Sequence, residues 1–130
     1  MRFIAIFLII LSVSFAGLIR PSNQEDLTYI YVPFEWEQEP DAVTYNLQVS
    51  TQQSFDNIIV DIQELTTRYI EKENLDWDDT YYWRVRSIYD SENFGEWSDI
   101  SSFTIGEKQF PDRNADIYNE DLIQDGLVAF

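Results

Sequence analysis

Apolar and polar residues alternate through several short runs of this chain, and that pattern restricts what the chain can fold into. In residues 81–88 the apolar positions Tyr81, Trp83 and Val85 are separated by polar or charged ones, among them Arg84. A period of two places successive side chains on opposite faces of a β-strand, so one face packs inward and the other meets solvent. After the first residues, no long stretch has helical spacing. The pattern predicts an all-β domain.

Seven segments carry strand character, with turn-forming residues between them. Short strands at this spacing are typical of a seven-stranded antiparallel immunoglobulin-like sandwich made of two sheets. Residues 22–26 are expected to form a polar loop. Pro33 lies inside the second segment and lacks an N–H, so it predicts either a sheet edge or a bulge where the first strand stops pairing. The predicted strands are residues 18–21, 30–37, 43–50, 58–62, 67–70, 81–88 and 101–105.

The composition excludes several classes of function. The formal net charge is −16, which disfavours nucleic acid and anionic membrane surfaces as partners. The chain has no cysteine, so disulfides and thiol chemistry are excluded, and it has no histidine, the commonest general base. Carboxylates, tyrosine and lysine remain as possible catalytic groups. We expect neither a cofactor nor a metal ion.

The first sixteen residues are typical of a secretory signal peptide. Arg2 precedes an apolar run, and small residues precede the expected cleavage after Ala16. The run is shorter than the roughly 20 apolar residues that a membrane span needs. We therefore expect a secreted or periplasmic protein with no membrane anchor after cleavage.

Several of these residues, in order, resemble the fibronectin type III family over residues 18–106. Trp36 matches the tryptophan of the family's second strand, and Tyr81 follows Leu75 at the family's spacing. The resemblance implies that Tyr81 is the corner tyrosine, whose hydroxyl reaches the backbone near the leucine. Asp78 and Asp79 replace the usual proline–glycine turn. The core expected from this resemblance and from the alternation comprises Trp36, Tyr45, Leu47, Leu75, Tyr81, Trp83, Val85 and Phe103.

Aromatic residues near the later strands are the candidate ligand contacts. The resemblance implies that Trp97 stacks on Arg84 and Arg86, which is a structural role that we favour over a ligand site. The alternative is a platform for sugar rings, whose possible contacts are Trp77, Tyr82 and Trp97, with Phe94 beside them. Loop packing is the interpretation we favour for those rings.

Acidic residues offer two weaker alternatives. Asp76, Asp78 and Asp79 are oxygen donors of the kind calcium prefers, but they match no complete calcium loop, and a solvated acidic corner is favoured. Glu35 and Glu37 lie two apart on one strand face, where a flat sheet offers no cleft for acid–base catalysis.

The tail is expected to continue into something else. Residues 107–115 read as a polar linker and residues 116–130 as the start of a truncated further domain, whose last eight residues are similar to the opening of bacterial arylsulfotransferase-type domains. We expect a non-catalytic spacer or protein-interaction module at the N-terminus of a larger exported protein, partnered by the downstream domain or by another protein. The alternatives are a carbohydrate-binding module and the front of an exported enzyme.

Overall fold

The computed structural model describes residues 16–109, which form eight β-strands. The predicted linker and further domain lie almost wholly outside these residues, as does the signal peptide except for Ala16. Within the described part, no helix has the length and apolar character that a membrane span requires. The strands are β1 (Leu18–Arg20), β2 (Glu25–Leu27), β3 (Val32–Trp36), β4 (Thr44–Ser50), β5 (Ile58–Glu64), β6 (Arg68–Glu71), β7 (Asp79–Ile88) and β8 (Ser101–Ile105).

The strands form two sheets that pack face to face. One sheet has three strands in the order β1-β3-β6, and the other has five in the order β2-β8-β7-β4-β5. Ring pairs join the two sheets: the centroids of Phe34 and Trp83 are 5.0 Å apart, and those of Trp36 and Tyr45 are 5.8 Å apart. The edge-on geometry of these pairs is the one that aromatic quadrupoles prefer. The prediction of an immunoglobulin-like sandwich is confirmed.

The prediction of seven strands and a loop at residues 22–26 is wrong in one place. Glu25–Leu27 forms β2, which pairs in parallel with β8 through Glu25↔Phe103 and Leu27↔Ile105. The segment is polar except for Leu27, so its sequence carries no strand pattern, and it gains its strand geometry from its neighbour. The sandwich therefore has eight strands, and one of its pairs is not antiparallel.

Alternation along the strands produces the core. Side chains at every second position of β3 and β7 turn toward the opposite sheet and exclude water, and burying each large apolar side chain contributes about 2 kcal/mol before the entropic cost. All of the predicted core residues are buried: Trp36, Tyr45, Leu47, Leu75, Tyr81, Trp83, Val85 and Phe103.

Pro33 lies in the central strand of the smaller sheet, where β3 pairs with β6 through Pro33↔Ile70. The Trp36 N–H donates to Thr67 O at 3.1 Å. Because hydrogen-bonded pairs alternate in an antiparallel ladder, the position of the missing Pro33 donor faces the β1 side. The β1 pairing reaches only Arg20↔Glu35 and contains a bulge. Of the two interpretations, the register supports the one in which the first strand has stopped pairing.

The chain enters the sandwich at one end and leaves it at the other. Glu37 N donates to Gly17 O at 2.8 Å beside the end of β3, which we call the amino end. Gly106 N donates to Leu27 O at 2.9 Å at the opposite end, which we call the carboxyl end. β7 runs the whole way between the two with 10 residues, so the ends are about 30 Å apart.

Candidate binding surfaces

Two arginines and three aromatic rings stack on the outer face of the larger sheet. The guanidinium carbon of Arg84 lies 4.1 Å from the centroid of Phe55 and 4.2 Å from that of Trp97. The guanidinium carbon of Arg86 lies 4.5 Å from the centroids of both Phe94 and Trp97. Each guanidinium group therefore serves two rings, and the Trp97 ring is shared by both cations. We call this set the arginine–aromatic stack.

A hydrogen-bond network with side chains of β4 and β5 holds Arg84 and Arg86 in place. Arg84 donates from Nε and Nη2 to Gln48 Oε1 at 3.0 and 2.8 Å, and Arg86 Nε donates to Asn46 Oδ1 at 3.3 Å. Both amides donate in turn to Asp61, at 2.8 Å from Asn46 and 3.1 Å from Gln48. Desolvation and the neighbouring Arg86 charge lower the pKa of Arg84, which Asp61 partly offsets. A satisfied network of this kind rigidifies the face.

The segment after β7 positions Trp97 on the stack. Ser98 N donates to Val85 O at 2.8 Å, Val85 N donates to Ser98 Oγ at 3.0 Å, and Gly95 N donates to Ser87 O at 2.8 Å. These bonds hold the segment alongside β7 although it is not a regular strand. Trp97 is thereby placed over Arg84 and Arg86, the two arginines expected to stack on it.

Phe55 is the member of the stack that the sequence did not indicate. It lies in the turn after β4, has a φ of 60° and is buried. Positive φ is costly for a bulky residue, so packing must hold it there. The contact with Arg84 is part of that packing. The polar alternation of Asn46 and Gln48 placed them on the outer face, but their bonding to the arginines depends on strand pairing.

A second aromatic group lies at the carboxyl end. Trp77 is half-buried against the core and lines a shallow cavity of about 250 Å³ together with Tyr29, Ile30 and Tyr31. Tyr29 and Tyr31 are 44% and 60% exposed. We call this group the carboxyl-end cluster. The lining of this cavity is mainly apolar, and exposed apolar groups of this kind are a feature of contact surfaces.

The candidate platform residues are thus divided between different surfaces. Trp77 belongs to the carboxyl-end cluster, whereas Trp97 and Phe94 belong to the arginine–aromatic stack. Tyr82 lies on β7 opposite Ser50 and Ser102 and is half-buried. The Trp97 ring contacts two guanidinium groups, whereas Trp77 lies outside that stack.

The acidic corner is organised around Tyr81. The Tyr81 hydroxyl accepts a hydrogen bond from Asp76 N at 2.8 Å and donates to Asp79 Oδ2 at 3.4 Å. Burial raises the pKa of Tyr81, the Asp76 N–H bond opposes that shift, and the charges of Asp79 and Asp76 add to it. Asp78 has a φ of 64°, a conformation that aspartate tolerates better than most residues, and this gives the turn its shape without glycine. Among residues 16–109, no three acidic side chains lie together as a metal site.

Glu35 and Glu37 have separate surroundings. Glu35 is held by Arg20 at 3.0 Å and by Arg68 at 3.2 Å. Glu37 donates its backbone N–H to Gly17 at the amino end. Both oxygens of the Glu35 carboxylate are engaged in ion pairs, and Glu37 takes no part in them, so the two glutamates do not form a catalytic pair.

The strand order, the ring-filled interface and the corner tyrosine together define an immunoglobulin-like sandwich. No protein-family model matches the sequence, and no curated protein sequence matches it. The structure is similar to a Fn3-like protein from Clostridium thermocellum, with a TM-score of 0.54 and 19% identity over 75% of this chain and 97% of that one. It is also similar to the fibronectin type III domain of human fibronectin type III domain containing protein 3, with a TM-score of 0.54 and 17% identity over 76% and 90% of the two chains.

A third similar structure is a beta-1,2-glucanase from Parabacteroides distasonis, with a TM-score of 0.51 and 18% identity. The match covers 82% of this chain and 15% of the glucanase chain. At these identities the likeness concerns the fold alone. Within its described residues, the chain has the fibronectin type III fold.

Proposed function

We propose that this chain is a non-catalytic module that spaces and docks a following domain within a larger exported protein. The observation that carries the proposal is that Gly17 and Gly106, near the two limits of the described residues, lie at opposite ends of the sandwich. A module with this geometry sets the distance and direction between whatever precedes it and whatever follows it.

Backbone hydrogen bonds tie both ends to the sandwich. The bond between Glu37 and Gly17 fixes the amino end, while Gly106 is held twice, by Leu27 O and by the Asp78 N–H at 3.1 Å. A following segment therefore starts from a fixed position and direction at Gly106. These hydrogen bonds support a rigid spacer rather than a domain joined to its neighbours by flexible linkers.

The carboxyl-end cluster supports the docking part of the proposal. Leu27 and Asp78, which hold Gly106, are neighbours in sequence of Thr28 and Trp77, which line the cluster. The exposed rings therefore lie beside the point where the chain leaves the sandwich. A following domain would meet these rings first.

The glucanase supplies a precedent for the arrangement. There this fold matches a 15% portion of a longer enzyme chain. An exported enzyme with its active site after Phe130 remains the rival proposal for the parent protein. The gene sequence that follows Phe130 decides between that rival and a parent without an enzyme domain.

A distance measurement tests the rigid spacer. The chain has no native cysteine, so spin labels can be placed at Gln38→Cys near the amino end and Glu107→Cys just after Gly106. We expect one narrow distance distribution centred at about 30 Å. A broad distribution, or one centred below about 20 Å, would contradict the proposal. Gln38→Cys with Leu65→Cys is the matched control, because both residues line one cavity at the amino end and should give a short distance.

The carbohydrate alternative depends on Trp77. Tryptophan fluorescence should not respond to a panel of soluble glycans if the cluster docks a domain. A saturable response that is lost in Trp77→Ala and kept in Trp97→Phe would replace the docking role with sugar binding.

A further inference from the structure

The outer face of the smaller sheet carries a cluster of basic and apolar side chains. In the register of β1, β3 and β6, Arg20 lies opposite Glu35, Glu35 opposite Arg68, and Pro33 opposite Ile70. Cross-strand neighbours share a face, and these residues alternate with the buried Phe34 and Trp36, so they point away from the core. We call Arg20, Pro33, Glu35, Arg68 and Ile70 the basic–apolar face.

This face is concave. Its residues, together with Phe34 and Tyr69, line a cavity of about 240 Å³. Ile70 is 51% exposed and forms one side of the cavity, directly across from Pro33. The two arginines line the same cavity. Charged and apolar groups therefore converge on a space that admits a side chain.

Two positive charges and one negative charge meet in the ion-pair cluster on this face. Glu35 Oε1 lies 3.0 Å from Arg20 Nε, and Glu35 Oε2 lies 3.2 Å from Arg68 Nη2 and 3.3 Å from Arg68 Nε. Two guanidinium groups thus share one carboxylate, which leaves a surplus positive charge. The whole chain carries −16, so this local cationic surplus is opposite in sign to the overall charge. Such a surplus attracts a carboxylate from outside.

The two arginines are also available in a way that Arg84 and Arg86 are not. The side chains of Arg20 and Arg68 are 60% and 77% exposed, whereas that of Glu35 is 19% exposed. Because both guanidinium groups are largely in solvent, their attraction to Glu35 is screened, and each can turn to a new partner at modest cost. Arg84 and Arg86 are each fixed by two rings and an amide.

We propose that the basic–apolar face binds a protein segment carrying a carboxylate next to an aliphatic side chain. The carboxylate pairs with Arg20 and Arg68, and the aliphatic group fills the cavity between Pro33 and Ile70. Longer polyanions are disfavoured because the surrounding charge of the molecule repels them. A second copy is disfavoured for the same reason, since each copy carries the full negative charge. This interaction goes beyond the spacing and docking role and uses a different surface.

A peptide titration followed by NMR tests the proposal. The probe is acetyl-Leu-Glu-Leu-Glu-Leu-amide, and its matched control has glutamine in place of both glutamates. With the acidic peptide we expect the amide signals of Glu35, Arg68 and Ile70 to shift in a saturable way. The glutamine peptide should bind about two- to fivefold more weakly, which corresponds to the loss of one exposed ion pair.

Three variants test whether the affinity for the acidic peptide depends on the charges of this face. The double substitution Arg20→Gln with Arg68→Gln should weaken binding of the acidic peptide about fivefold or more. Glu35→Gln should strengthen it, because the competing internal carboxylate is removed. Lys108→Gln removes one positive charge away from the face and should leave affinity unchanged. Amide spectra that retain the dispersion of the wild type establish that each variant is folded.

Several outcomes would overturn the proposal. These are equal binding of the acidic and glutamine peptides, shifts located on another surface, or weaker binding by Glu35→Gln. Concentration-dependent shifts at Glu35, Arg68 and Ile70 without peptide, with dimers in sedimentation, would overturn it in favour of self-association.

Discussion

The guanidinium group of Arg84 lies over the Trp97 ring, with 4.2 Å between its central carbon and the ring centroid. Arg86 approaches the same ring, so two like charges lie side by side on β7. Without a counterpart, that pair would repel. The shared ring and the amides of Asn46 and Gln48 make the arrangement favourable, and they cover the outer face of the larger sheet. The stack therefore accounts for a tryptophan that could otherwise be taken for a ligand site.

Removing the shared ring should destabilise the domain. Trp97→Ala deletes two cation–π contacts and leaves Arg84 and Arg86 facing each other. We expect the free energy of unfolding to fall by about 1–3 kcal/mol, measured by urea denaturation. Trp97→Phe keeps an aromatic ring and should lose less. A loss below about 0.5 kcal/mol in Trp97→Ala, the range of ordinary surface substitutions, would show that the stack is not structural.

The Tyr81 hydroxyl should contribute measurably to the free energy of unfolding. Tyr81→Phe leaves the Asp76 N–H without its acceptor in a partly buried corner. We expect a loss of about 1–3 kcal/mol in the free energy of unfolding. Tyr82→Phe removes the same hydroxyl from the next residue, on the outer face, and is the matched control. An equal effect of the two substitutions would contradict the role of the corner.

Among the described residues, Glu71 is a buried carboxylate that hydrogen-bonds to the turn directly after β6. It is 2% exposed. Its Oε2 accepts from Glu73 N at 2.8 Å and from Asn74 N at 2.7 Å, and its Oε1 accepts from the Tyr69 hydroxyl at 3.1 Å. Glu71→Gln places an amide donor among these donors and should cost about 2–3 kcal/mol. The exposed Glu73→Gln should change stability by less than about 0.5 kcal/mol. Chemical denaturation of both variants would reveal whether the carboxylate has this role.

Stability should fall in strongly alkaline solution. Desolvation, the Glu71 charge and the hydrogen bond to Glu71 raise the pKa of Tyr69. The folded state therefore keeps this phenol protonated after the unfolded chain, with a pKa of about 10, has lost its proton. The contribution is complete below that pH and is lost as the pH rises above it. Urea titrations between about pH 8 and pH 11 should show a smaller decline in Tyr69→Phe than in the wild type, and identical declines would contradict this.

Most strands could be predicted because their own residues carry the pattern. β7 alternates through Tyr81, Trp83 and Val85, and the structure buries these three. β2 could not be predicted, because Glu25 and Asp26 have no apolar alternation and the strand exists through its pairing with β8. Local sequence determines a strand with a buried face, whereas a short polar strand depends on its neighbour.

The surface features also divide into those that the sequence indicated and those that depend on the pairing of distant segments. The partnership of Trp97 with Arg84 and Arg86 could be expected from the resemblance to the fibronectin type III family, and the structure brings the three side chains together. Phe55 could not, because its place under Arg84 requires the turn after β4 to return to β7. The basic–apolar face was also hidden, since Arg20 and Arg68 are 48 residues apart and meet only across β3. The alternation placed Glu35 and Glu37 on one strand face, but the two cations that pair with Glu35 come from strands that the sequence alone did not align with it.

The contact between Phe34 and Trp83 tests the whole account most directly, because it joins the two sheets at the centre of the core. Nuclear Overhauser effects between the two ring systems report that contact in solution. We expect strong effects, consistent with ring centroids 5.0 Å apart, together with effects between Phe34 and Phe103, whose centroids are 5.7 Å apart. A folded protein that showed neither set would contradict the packing of these sheets, and with it the ends, surfaces and functions inferred from it.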